Sequence, residues 1–177
     1  MSLFETDPKS FYLSLYIIAS PFGIDWSSPR SLLISNLRNQ IFGKSRKLGH
    51  INIRLSGPDR EDILTGMVST HLDSKTQLLK NGIGFGIFWH TFPGQLESAM
   101  PLKAELPSYI YERRLSQIRI KISETQHRKL VQYLEEYKKS GADKKYGLYH
   151  NPLKKEGAGC TAFAMSFLNR SACSGWI

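Results

Sequence analysis

Cysteine is scarce: the 177 residues hold two, Cys160 and Cys173. So few cannot build the disulfide framework of a small secreted scaffold. Long apolar runs are missing too. A membrane-spanning helix needs about 18 to 20 apolar residues. The best stretch here, residues 11–18, is short and β-rich, with Pro21 and Gly23 just after it. His, Cys and acidic residues do not cluster at metal-ligand spacing; His50, Asn52 and His71 come nearest to a partial set. Neither a metal nor another cofactor is therefore expected. Gly82-Ile83-Gly84-Phe85-Gly86 is glycine-rich, yet no helix pattern follows it, which argues against a nucleotide loop. There is no internal repeat and no low-complexity tract. The acidic start, Met1-Ser2-Leu3-Phe4-Glu5-Thr6-Asp7, lacks the basic n-region of a signal peptide. An envelope or secreted location is expected only if a leader has been removed ahead of Met1, and a cytoplasmic one otherwise.

What is present is an ordinary globular composition, 41% hydrophobic and 22% charged, with a length that suits one domain and a sizeable core. Residues 1–177 are read as a single domain, in which an N-terminal strand and helix (1–47) pack on a core (48–170). Basic residues outnumber acidic ones, 24 to 15, for a net charge of +9. That favours contact with an anionic surface such as cell-wall polymer, phospholipid or nucleic acid. The basic clusters at 44–47, 138–139, 144–145 and 154–155 are small and form no arm or stripe, so no specific nucleic-acid partner is expected.

Along the chain, residues 11–18 read as a strand. Ser28-Pro29 opens a helix as N-cap and first residue, with Leu33, Leu37 and Ile41 as its apolar face and Gly43 as its stop. Residues 49–55 alternate: Ile51, Ile53 and Leu55 on one side, His50, Asn52 and Arg54 on the other. Ser56-Gly57-Pro58-Asp59 signals a turn, and 63–70 reads as the returning strand of a hairpin. Residues 83–92 read as a strand ended by Pro93-Gly94. Residues 101–107 read as a loop or a short edge segment. Residues 115–122 read as a strand with Ile118, Ile120 and Ile122 inward. Ser123-Glu124-Thr125-Gln126 is a capping box opening a helix with Leu130, Val131, Leu134 and Tyr137 on one face, stopped by Gly141. A loop over 146–159 leads to a last helix. The predicted class is α+β, helices packed on an antiparallel sheet.

That last helix starts at Cys160, in Gly157-Ala158-Gly159-Cys160-Thr161-Ala162-Phe163-Ala164. Phe163 and Phe167, four apart, suit a buried helix. A cysteine at a helix N-terminus is stabilised as thiolate by unpaired N–H groups and the helix dipole. A thiolate nucleophile needs an imidazole within reach, oriented by a third polar group. Of five histidines, His127 is expected on the surface and His150 in a lysine-rich loop. His50 is best placed, at the start of a strand on its polar face. The hairpin sets residue 70 or 71 opposite His50, so His71, or Thr70 after a one-residue slip, is a candidate orienter. His90, on the next strand, is another.

Gly49-His50-Ile51-Asn52-Ile53, followed much later by Gly159-Cys160-Thr161-Ala162-Phe163, resembles the NlpC/P60 papain-like superfamily in its circularly permuted form. In that form, shared by lecithin:retinol acyltransferase-like and several bacterial envelope families, histidine comes first and cysteine last. The family's cysteine motif resembles Asp-Cys-Ser/Thr-Gly-Phe; here Cys160, Thr161 and Phe163 match, while the flanking acid and glycine do not. Gly66-Met67 through Gly84-Phe85-Gly86 and Phe92-Pro93-Gly94-Gln95-Leu96-Glu97 are also similar to bacterial members of this group. The resemblance spans about residues 48 to 170. It implies a permuted papain-like fold, Cys160 as nucleophile, His50 as base and a polar residue on the returning strand, His71, as orienter. It implies that Tyr146 lines the site, and Asn52 and His90 complete the expected lining.

The expected function is thiol-dependent hydrolysis of an amide or ester through a thioester. A cell-wall peptidase or amidase is favoured over an acyltransferase, with a peptide, amide or acyl substrate such as peptidoglycan. The alternative is a non-catalytic basic module that binds an anionic polymer.

Overall fold

The computed structural model describes residues 9–25, 27–42, 49–58, 61–70 and 89–172. Its architecture is α+β, with two antiparallel sheets and four α-helices among the described residues. His71, residues 82–88, Gly43, the basic cluster at 44–47 and Cys173 lie outside them.

The larger sheet is centred on β1 (Phe11–Ile18). β1 pairs antiparallel with β2 (His50–Ser56) on one side and β6 (Leu115–Ile122) on the other, Leu15 standing beside Ile53 and Ile118. β3 (Ile63–Thr65) adds to β2, with Thr65 opposite Ile53. Alternation along β1 sends its side chains into two cores. Leu13 and Leu15 join Ile53, Leu55 and the apolar faces of α3 (Glu124–Lys139) and α4 (Cys160–Ala172). Tyr16 joins Leu64 with Leu102 and Leu106 of α2 (Ala99–Tyr111). The sheet is thus covered on both sides, and the polar face expected on β2 is buried. Arg54, on that face, is neutralised by Asp62 through Nε at 3.0 Å and reaches the Tyr16 hydroxyl at 3.3 Å.

Several elements form as the sequence predicts. The Ser28 hydroxyl accepts the Ser31 N–H at the head of α1 (Pro29–Phe42). Ser123 and Gln126 cap α3 reciprocally, and Gly141 turns the chain away at φ +71°, where glycine alone is unstrained. Phe163 and Phe167 are fully buried, edge-to-face at 5.1 Å, against Tyr137 and Tyr133.

Other expectations are corrected. The returning strand does not run through 63–70. It breaks at Gly66, and β4 (Met67–Ser69) crosses into a second sheet, β4-β5-β7, with β5 (Phe92–Leu96) and β7 (Lys145–Tyr146). Pro93-Gly94 lies inside β5 rather than ending a strand. Residues 101–107 are helical. Pro101 occupies the first turn of α2, where an N–H has no intrahelical partner, and Leu102, Leu106 and Tyr109 fix the helix in the core. On α1, Leu37 and Ile41 face solvent, Ile41 being 63% exposed. Leu33, the third member of the expected face, lies outside the described side chains; among those described the anchors are polar, the Asn39 amide bracketing the backbone of Phe22 and the Ser35 hydroxyl accepting the Asp25 N–H. Ile118, expected inward, is exposed, while Ile122 on the same face is buried. His127 is buried, its ring 5.1 Å from that of Phe11.

Candidate active site

Cys160 is the first residue of α4. The loop that delivers it is fastened to β7, where the Ala158 N–H donates to the Lys145 carbonyl at 3.2 Å. Gly157 is required for that approach. It sits at φ +114°, and a Cβ there would meet the Lys145 carbonyl oxygen at 2.5 Å. The first turn then closes through the Phe163 N–H on the Gly159 carbonyl. Cys160 carries a free thiol, and Phe163 and Phe167 pin its helix in the core.

His50 is the first residue of β2. Gly49, at φ +77°, turns the chain into the strand against the Ile18 backbone. β3 stops opposite Ile53, so among the described residues no strand pairs with that edge of β2 at residues 50 to 52. α4 packs there. Its thiol lies beside the Ile51 backbone N–H and the His50 imidazole, both of which favour its charged form.

The opposite side of the imidazole is held by a residue the sequence reading missed. His50 Nε2 lies 2.6 Å from Glu97 Oε2, with side-chain exposures of 6% and 10%. Nδ1 is the nitrogen left for Cys160. Glu97 follows β5 directly and is fixed by its own backbone: its N–H donates to the Gly66 carbonyl, and its carbonyl accepts the Thr65 hydroxyl, both at 2.9 Å. Asn52 Nδ2 donates to the same Oε2 at 2.7 Å. Gly66 makes the space, since a Cβ on it would lie 2.4 Å from Asn52 Nδ2 and 3.1 Å from both Glu97 Oε2 and His50 Nε2.

The charges follow from this packing. Burial opposes a charged His50, but the hydrogen bonds and charges of Cys160 and Glu97 prevail and push its pKa up to about 9. Burial likewise opposes a thiolate at Cys160. The His50 hydrogen bond and charge, the Ile51 N–H and the Thr161 hydroxyl outweigh it and hold the thiol below its ordinary value. A proton moved from sulfur to imidazole gives a thiolate–imidazolium pair backed by a carboxylate. Tyr146, on β7, is within hydrogen-bonding range of both the Cys160 sulfur and the Cys160 backbone N–H. Burial, then the Cys160 charge, raises its phenol well above the ordinary range, so the hydroxyl keeps its proton.

The structure therefore brings Cys160, His50 and Tyr146 together and adds Glu97. Among the described residues the carboxylate of Glu97, rather than His90 or Thr70, stands in the orienting place at His50 Nε2. His71 lies outside the described residues. Thr70 is spent on the Pro93 carbonyl, and exposed His90 sets its ring edge-on to Phe92 at 4.7 Å. Asn52, expected to line the substrate, is 1% exposed and turned to Glu97. His150 bonds Thr91 at 3.0 Å. Among the described residues no three His, Cys, Asp or Glu side chains are grouped to hold a metal ion, and no helix is long and apolar enough to cross a membrane. No local signal marks Glu97, because Phe92-Pro93-Gly94-Gln95-Leu96 before it carries a Pro-Gly pair that reads as a turn. No family model, no curated protein and no solved structure matches the chain.

Proposed function

We propose that the chain is a thiol-dependent hydrolase of amides or esters, in a permuted papain-like arrangement of the NlpC/P60 type. One observation carries the reading: a cysteine at a helix N-terminus meets a histidine whose far nitrogen is held 2.6 Å from a buried glutamate. The order along the chain, His50, Glu97, Cys160, and the packing of the cysteine helix on the histidine strand support the permuted form.

The chemistry follows from the geometry. His50 takes the thiol proton, and Cys160 attacks a carbonyl carbon. The oxyanion is met by the Cys160 backbone N–H at the start of α4 and by the Tyr146 hydroxyl. Imidazolium returns its proton to the leaving amine or alcohol, a thioester remains, and water activated by His50 releases the acid. A cell-wall peptide or amide is the favoured substrate, since a net charge of +9 draws the protein to anionic wall polymer.

The test is to offer peptidoglycan fragments and p-nitrophenyl esters and to look for acyl-enzyme by intact mass. A hydroxylamine-labile adduct on Cys160, absent in Cys160→Ala, is expected. Absence of adduct and turnover with every substrate, with wall-polymer binding equal in wild type and Cys160→Ala, would favour the non-catalytic module instead.

A further inference from the structure

The face of β2 that carries His50 also carries Asn52, and the carboxamide there is an expensive choice. It is 1% exposed, and its Oδ1 has no hydrogen-bond partner among the described residues. A buried oxygen without a partner is destabilising. Its Nδ2, by contrast, donates at 2.7 Å to the one glutamate oxygen that His50 Nε2 touches at 2.6 Å. The orientation of the amide is fixed chemically, since only the NH2 end can face a carboxylate oxygen. Two donors one step apart on a strand face, at residues 50 and 52, thus converge on a single atom of the residue that follows β5 in the other sheet. The backbone gap that permits it is at Gly66.

We propose that Asn52 is a positioning residue for the Cys160–His50 pair, acting by holding Glu97 Oε2 against His50 Nε2. This rests on reading Cys160, His50 and Glu97 as a thiolate–imidazolium site. Glu97 has a flexible side chain, and His50 Nε2 gives its Oε2 one fixed point. The Asn52 amide supplies the second fixed point. With it, the carboxylate stays where it stabilises imidazolium and, through imidazolium, the thiolate. Among the described residues the titratable groups that face this assembly are His50 from β2, Cys160 from α4 and Tyr146 from β7. Arg54, two residues along the same strand face, is committed to Asp62 and Tyr16.

The experiment measures the iodoacetamide alkylation rate of Cys160 against pH in the full chain. Cys173→Ser is the common background for His50→Ala, Asn52→Leu and the parent. Asn52→Leu removes the amide and the unsatisfied oxygen together, so its melting temperature is expected to stay within a few degrees of the parent. Its acid limb is expected to move up by about one pH unit, about a tenfold loss of rate at a fixed pH on that limb. Asn52→Ala, which only deletes atoms, makes the same comparison if leucine does not fit. A limb unmoved in the Asn52 variants, while His50→Ala shifts it, would overturn the positioning role and leave the site standing. A parent limb at the ordinary thiol pKa, unmoved by His50→Ala, would overturn both.

Discussion

Glu97 gives the His50 imidazole its direction and its charge balance. Replacing it with glutamine keeps the shape and a hydrogen-bond acceptor but removes the negative charge. Hydrogen bonds to charged groups contribute about 1.5–3 kcal/mol, so Glu97→Gln is expected to raise the apparent pKa of Cys160 by about one to two units. Alkylation at pH 6 would then fall by about ten- to a hundredfold, with the folded state retained. An unchanged alkylation profile in Glu97→Gln would show that the carboxylate does not support the pair. At this scale the sequence is legible in part. Cys160 announces itself because glycines precede it and a buried-helix pattern follows. His50 does so because it opens a strand with clear alternation. Glu97 is hidden, because its partner depends on a strand break at Gly66 that no local propensity encodes.

The decisive element is the three-residue strand β3 and the break that ends it. If the chain continued along β2 past Thr65, it would fill the edge where α4 docks. Leaving for the second sheet at Gly66 instead opens that edge and points the end of β5, with Glu97, at His50. Gly66→Ala is expected to force Asn52 and Glu97 apart and destabilise the fold by about 1–3 kcal/mol, the usual range for overpacking. Thermal unfolding measures this, and Cys160 reactivity at pH 6 should fall with it. A variant with parental stability and reactivity would contradict the packing described. The same scale explains which elements can be read from sequence. β1, β6, α3 and α4 follow local signals: alternation, a capping box and apolar spacing. α2 is masked by Pro101 and Pro107, although Leu102, Leu106 and Tyr109 carry helical spacing. On α1 the apolar spacing misleads at Leu37 and Ile41, which face solvent, while Asn39 and Ser35 fasten the helix through hydrogen bonds.

At the scale of the whole molecule, the candidate site joins positions 50, 97 and 160, contributed by both sheets and a helix. It exists only when the tertiary structure is complete, so reactivity of Cys160 reports folding of the molecule. The two titrations have opposite signs. His50, with its pKa raised to about 9, adds stability that is full below its ordinary 6.5 and is lost as pH rises through about 9. Cys160, with its pKa lowered, adds stability that is present above its ordinary value and is lost as pH falls through the lowered one. Near neutral pH the folded pair and the unfolded thiol each hold about one proton. Stability is therefore expected to be nearly flat there, while thiol reactivity is not. The most direct measurement is the iodoacetamide alkylation rate of Cys160 against pH, in Cys173→Ser and in Cys173→Ser with His50→Ala. The account predicts fast alkylation with an apparent pKa well below about 8.5, moved toward that value when His50 is lost. Slow alkylation at the ordinary thiol pKa, the same with and without His50, would contradict it.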